Sequence, residues 1–442
     1  MPTTVDHACI IRGTVVSCRH DVAPQAGMDS LDSFTDGALH IADGVIRSLG
    51  PAAKVLAEAG TDHPPIHDFR GRLVVPGFID IHTHCPQADI IASYGEALLT
   101  WLNRYAFPAE QRFAAPEVAE ETAQFFMDEL LRNGTTSALI MGTVHAHSAD
   151  AILRAAHARG MRVAAGKLMM DRNCPEALQD TAASGVADSR ELLRRWHGVG
   201  RLAYAISPRF APTSSEAQLS GAGHLARECP EAYLQTHLAE NSAEVAWVSE
   251  LFPWAEDYLA VYEHFGLVRP GAVFAHCIHM TPAARQRLAE HGAATAFAAT
   301  ANLFLGSGLM DYPTQAALGL RTGLGTDIGA GTSFSLLRTA AAAYQIAALH
   351  GTPLSAAHLL YLATRGGARA LDIDHRVGHF APGMEADVVV LDPEGSRLSA
   401  RRTAATDLEE TLFALFTLGD ERHVAATYVA GRPARGDIST GT

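Results

Sequence analysis

The sequence predicts an α/β protein: a (β/α)8 TIM-like barrel with a small β-sandwich domain built from both termini. Two patterns predict it. Through the centre, strand-like runs alternate with helical ones in eight units, and both ends of the chain are rich in short strands with turns. A length of 442 residues suffices for one large domain and a smaller one. The expected boundaries are 1–75 and 379–442 for the two parts of the sandwich and 76–378 for the barrel.

At the N-terminus, Cys9–Val16 and Leu39–Leu49 read as strands, the second containing Asp43-Gly44, a dipeptide that favours a two-residue hairpin. The barrel strand candidates are Phe78–His84, Thr136–Gly142, Arg162–Leu168, Leu202–Ser207, Tyr233–Leu238, Ala272–Cys277, Ala293–Ala298 and Arg321–Thr326. Helical patterns fall between them at Pro116–Arg132, Arg190–Val199, Ser214–Glu228 and Pro282–His291. An open doubly wound sheet is the alternative, but no G-x-G-x-x-G follows any strand. The Ala-rich segment Ala340–Ala348 holds Tyr344 and Gln345 and reads as a core helix. At the C-terminus, Ala386–Leu391 and Val424–Val429 read as strands, with Gly383 and Gly431 as turn residues.

Hydrophobic residues make up 48% and charged ones 19%, the profile of a soluble globular protein. A formal net charge of −14 argues against nucleic acid as a partner. No apolar run reaches membrane-spanning length, and Met1 to His7 carry no secretory pattern, so a cytoplasmic protein is expected. The six cysteines form no C-x-x-C pair and suggest no disulfide framework.

The chemistry-bearing residues fall at predicted strand ends. His82 and His84 close the first barrel strand, and alternate residues of a strand point to one side, so both rings can meet one ion. His237 ends the fifth strand, His276 the sixth and Asp327 the eighth. A lone buried histidine is usually a satisfied core residue. Five such groups on the rim where barrel active sites sit favour a metal site. Glu240, three residues after His237, can reach the cavity without competing for the ion; the plainer alternative is a solvated surface glutamate, as Glu244 is expected to be.

This pattern resembles the amidohydrolase superfamily over nearly the full length. The fourth strand lacks the lysine that bridges two metals in some members, and Lys167 lies a strand earlier. The resemblance therefore implies a one-metal site: His82, His84, His237 and Asp327 around Zn2+, with Fe2+ as the alternative. It leaves His276 to orient the attacking water, Asp327 to take its proton and Glu240 to protonate the substrate.

Several blocks further resemble the guanine deaminases. They are His84-Cys85-Pro86-Gln87, Trp101–Pro108, Pro208–Ser215, Thr236–Glu240 and Gly325–Phe334. The implied reaction is guanine and water to xanthine and ammonia, with 8-oxoguanine or a pterin as alternative substrates. Arg209 offers a planar fork of donors for the lactam carbonyl, a structural ion pair being its other reading. Gln87 can donate and accept along a purine edge, while Phe210 and Trp101 either flank the ring or fill core. Cys85 is expected to pack rather than react. The chain departs from these relatives at Ala298-Ala299-Thr300-Ala301-Asn302, where they often carry Cys-Pro before Ser-Asn. A metal-free binding protein of this fold would have broken ligands, and here each ligand of a one-metal site is present. The zinc deaminase architecture built on H-x-E and P-C-x-x-C is excluded by the cysteine spacing. A homodimer is the default assembly.

Overall fold

A computed structural model describes residues 8–60 and 64–436; Met1–His7, where no secretory pattern is expected, lie outside them. Four strands precede the barrel: β1 (Cys9–Ser17), β2 (Asp32–Ala42), β3 (Val45–Pro51) and β4 (Ile66–Pro76). The barrel strands are β5 (Phe78–His84), β6 (Thr135–Met141), β7 (Arg162–Gly166), β8 (Leu168–Met169), β9 (Ala203–Pro208), β10 (Tyr233–Leu238), β11 (Ala272–His276), β12 (Ala294–Phe297) and β13 (Arg321–Leu324). After them come β14 (Val388–Leu391), β15 (Val424–Val429) and β16 (Arg432–Gly436).

The strands from both termini form one seven-stranded sheet in the order β16-β15-β14-β4-β1-β2-β3. The two ends of the chain meet where β14 pairs antiparallel with β4. Asp43 and Gly44 take left-handed backbone (φ 54° and 78°), which the two-residue turn between β2 and β3 requires. Ile11, Leu39 and Ile46 from one half of the sheet share a core with Val388, Val390 and Tyr428 from the other. A sheet whose halves meet in one core is folded over on itself, so the expected sandwich is a single continuous sheet with bulges such as that at Gly13/Val15.

The barrel strands are parallel and follow one another around the cylinder from β5 to β13, with β8 pairing β9. Closure does not use a regular ladder. Instead Thr326 N and Asp327 N donate to Asp80 Oδ1 (3.1 Å) and His82 O (2.9 Å), tying the end of β13 to β5. Gly325 permits the approach, because a Cβ there would lie 2.9 Å from His82 Cβ. Among the described residues no helix is long and apolar enough to cross a membrane.

Three stretches differ from the expectation. The third barrel strand, expected as Arg162–Leu168, is interrupted at Lys167, whose buried ammonium donates to Leu168 O (3.1 Å) and Asp180 Oδ2 (2.8 Å). The helix expected at Arg190–Val199 runs over Ala182–Trp196, because Thr181 and Ser184 form a capping box that starts it earlier. The C-terminal region is not strands alone: helices Arg397–Thr403 and Leu408–Leu418 lie between β14 and β15. Leu412, Leu415 and Phe416 bury one face of the second helix against Leu336 and Ala340 of the core helix Leu336–Leu349.

Candidate active site and metal centre

Strand alternation aims Asp80, His82 and His84 of β5 toward one side. His237 on β10, His276 at the end of β11 and Asp327 just past β13 converge on the same point. The ligating atoms of His82, His237, His276 and Asp327 all lie within 4.8 Å of one another. His84 belongs to the cluster too: its Nε2 is 3.1 Å from His237 Nε2 and 3.3 Å from Asp327 Oδ1. That group contains His276 where the sequence reading has His84, and the structure brings all five groups together.

A divalent cation fits these residues. Among the described residues, buried His82 Nε2 and His276 Nε2 have no hydrogen-bond partner, and two imidazole nitrogens face each other across the His84–His237 contact. Such an arrangement of nitrogen and carboxylate donors is the chemistry of a zinc-type site. Partners behind the ligands fix their orientation: His237 Nδ1 lies 2.6 Å from Arg209 O, and His276 Nδ1 lies 2.8 Å from Asn302 Oδ1. Backbone strain gathers here. Ala239, His276 and Asp327 are left-handed at φ 50°, 72° and 51°, unusual for residues other than glycine and common at functional sites.

Electrostatics divides the cluster. Burial pushes His82 down to about 4 and His237 well below the usual histidine range. Burial alone would lower His276, but the carboxylates of Glu240 and Asp327 outweigh it and raise it. Burial likewise works to raise Asp327, yet the His82 and His84 imidazoles hold it well below the usual carboxylate range. Neutral imidazoles beside an ionised carboxylate are the protonation states that ligation needs.

Glu240 is buried beside this cluster, with Oε2 3.4 Å from His276 Nε2 and Oε1 accepting the Ser307 hydroxyl at 2.8 Å. The surface alternative for Glu240 therefore fails, and burial raises its carboxyl. Glu244 corrects the expectation more sharply. It is fully buried, and burial followed by the Glu240 charge pushes it up to about 7.

Gln87, Trp101, Arg209 and Phe210 line the same cavity as His84, His237, His276 and Asp327. The helical stretch that follows β5 contributes Leu98, Trp101 and Leu102 to the cavity lining. Both readings of Arg209 hold at once: it lines the cavity, and its Nη1 contacts both oxygens of buried Glu110 (2.8 and 2.6 Å). Its guanidinium also lies over the Phe107 ring, 5.3 Å from the centroid. Gln87 donates to Glu110 Oε1 (2.9 Å) and accepts from Gly329 N (3.2 Å), which fixes which way its amide faces. Trp101 and Phe210 belong to an apolar cluster and face the cavity as well, so core and ring contact are not exclusive.

Four residues of this site were not singled out in the sequence. Asp80 accepts His82 N, Thr326 N and the Thr326 hydroxyl, and its signal was a carboxylate in register with His82 and His84 in an apolar strand. Glu110 sits two residues beyond the Trp101–Pro108 block. Asn302 was noticed only as the end of a divergent stretch, and Ser307 carried no signal. Lys167 forms its ion pair away from the ligands, and Cys85 is buried with its thiol pushed up by burial, as packing requires.

The amidohydrolase family model matches residues 73–434. The guanine deaminase of Escherichia coli K12 is 45% identical over 428 residues, covering 96% of each chain, and a solved structure of E. coli guanine deaminase, 44% identical, superimposes with a TM-score of 0.94 over 97% of this chain and 99% of that one. A probable guanine deaminase of Deinococcus radiodurans is 42% identical over 92% of this chain and 95% of its own. The structure of the C. acetobutylicum guanine deaminase with guanine bound in its active site is 29% identical, with a TM-score of 0.87 over 96% of this chain and 99% of that one. By the matched family model, and by relatives aligned along almost their whole length, this chain belongs to the amidohydrolase family.

Proposed function

We propose that the protein is a hydrolase that converts guanine and water to xanthine and ammonia with the help of one divalent ion. One observation carries this reading: a single cavity is lined both by converging imidazoles and carboxylates and by a buried arginine–glutamine pair suited to a lactam edge. The 45% identity to a guanine deaminase supports the same substrate. Zn2+ is the proposed ion, Fe2+ the alternative, and His82, His84, His237 and Asp327 are its proposed ligands. When bound, such an ion lowers the pKa of water from about 15.7 to roughly 7.

Each remaining task falls to a side chain. His276, braced by Asn302, orients the attacking water, and Asp327 accepts its proton. Glu240, raised by burial, carries a proton to the ring nitrogen beside the amino-bearing carbon, making that carbon electrophilic. Of the water's two protons, one ends on the ring and the other on the amine that leaves as ammonia. Arg209 and Gln87 hold the carbonyl and ring donors, while Phe210 and Trp101 flank the ring. A homodimer, the commonest form among homo-oligomers, and a cytoplasmic location complete the proposal.

Guanine loss followed by absorbance, with ammonia measured in parallel, tests the reading on metal-loaded protein. Equal guanine loss and ammonia release are expected. Binding without turnover would support a non-catalytic binding role instead, and faster turnover of 8-oxoguanine or a pterin would reassign the substrate.

A further inference from the structure

Glu244 lines the active-site cavity yet has no part in the chemistry above. Its Oε2 accepts the backbone N–H groups of Glu240 (2.9 Å) and Asn241 (3.1 Å), and its Oε1 accepts the Tyr258 hydroxyl (2.8 Å). The Asn241 bond is half of a capping box that starts the helix Ser242–Leu251. A capping box works as well at the surface, and burying a carboxylate for that alone is unfavourable. What burial adds is the bond to Glu240 N and the link to Tyr258.

Those additions act where the backbone is strained. Between His237 and Glu240 the chain passes through left-handed Ala239, a conformation that surrounding contacts must hold in place. Tyr258 stacks on Tyr262 at 5.6 Å between centroids, and the Tyr262 hydroxyl donates to His237 O at 2.9 Å. One buried train of groups therefore braces both ends of the segment 237–240.

We propose that Glu244 is a positioning residue for Glu240: by gripping the Glu240 and Asn241 N–H groups it fixes the turn from which Glu240 reaches His276 and Ser307. This rests on the proposed proton-transfer role of Glu240. The hydrogen bonds of Glu244 run to backbone N–H groups and to the Tyr258 hydroxyl, so its proposed action is through Glu240.

Steady-state kinetics and metal analysis on the metal-loaded protein test it. Glu244→Ala should lower kcat about 100-fold, the scale of a misplaced catalytic group, with KM for guanine and metal content unchanged. Glu244→Gln keeps an acceptor oxygen for both N–H groups and can turn its amide to Tyr258, so it should restore most of kcat. Tyr258→Phe removes one oxygen and should lower kcat about tenfold, which keeps the test open if Glu244→Ala does not fold. Wild-type kcat in Glu244→Ala or Tyr258→Phe, with only a lower melting temperature, would overturn the proposal, as would a Glu244→Gln variant no better than Glu244→Ala. Near-normal kcat in Glu240→Gln is a different failure: it removes the role of Glu240 itself.

Discussion

The two ends of the barrel treat their charged groups in opposite ways. At the C-terminal ends of the strands, one ring nitrogen each of His82 and His276 is buried with no hydrogen-bond partner among the described residues, and the backbone is strained at Ala239, His276 and Asp327. Near the N-terminal ends, Arg162, at the start of β7, and Arg201 are matched to Glu385 and Asp387, which lead into the folded-over sheet's β14. None of these four residues has left-handed backbone. Strained backbone around ring nitrogens without hydrogen bonds marks an end built to bind something further; tight ion pairs mark an end built to hold two parts of the molecule together.

That contrast predicts that substitutions at the two ends separate activity from stability. The largest effect is expected at the mouth. Glu240→Gln should cost about 10³-fold in kcat, within the range of general acid–base catalysis, while the melting temperature and metal content stay put. Chelation should likewise abolish turnover, and Zn2+ should restore it. Activity assays beside thermal melts of the same samples decide this; an equal loss of stability in Glu240→Gln would erase the contrast.

The opposite end should show the reverse. Arg201→Ala leaves Asp387, 2% exposed at its side chain, facing no guanidinium. Removing one partner of a buried pair typically costs about 3 kcal/mol, so denaturant unfolding should shift by that order. Turnover per folded molecule should be unchanged. A drop in kcat without a stability change would mean that the N-terminal end communicates with the site.

The substrate wall sharpens the comparison, because Arg209 is both matched and functional. Lysine keeps the charge but loses the planar fork that meets Glu110 with one side and the cavity with the other. Arg209→Lys should lower kcat/KM for guanine about 50-fold, the scale of one lost hydrogen bond to a charged group, with the loss mostly in KM. An unchanged KM would make Arg209 a structural ion pair only.

How far the sequence reveals each end follows from the same physics. His82, His84, His237, His276 and Asp327 were legible because strand period and barrel topology bring strand ends together, whatever the loops do. Glu240 was legible from its offset to His237. Its neighbour Glu244 was not, since burial depends on the Tyr258 helix packing over it, a contact that no local pattern encodes. Asn302 and Glu110 share that character: each is defined by a distant partner, His276 or Arg209. In the fold, the hairpin at Asp43-Gly44 was written in its turn residues, whereas helix Leu408–Leu418 hid between two strands. Its periodicity is plain only once Leu412, Leu415 and Phe416 are seen against the core helix.

The smallest effect expected from the contrast is a pH dependence confined to the matched end. Burial opposes ionisation of Glu385, but the Arg201 and Arg162 guanidiniums outweigh it and hold its carboxyl below the ordinary glutamate range. A depressed carboxyl stabilises the fold above its unfolded-state pKa, and that contribution fades as pH falls through the folded-state value. Acid unfolding of the wild type should therefore include a term that Glu385→Gln lacks. The variant should be less stable near neutrality, and the gap should narrow as the solution is acidified below the usual glutamate pKa. Unfolding curves at several pH values measure the gap directly. A gap independent of pH would mean that Glu385 acts through shape and hydrogen bonding rather than charge, and would weaken the view of this end as an electrostatic clasp.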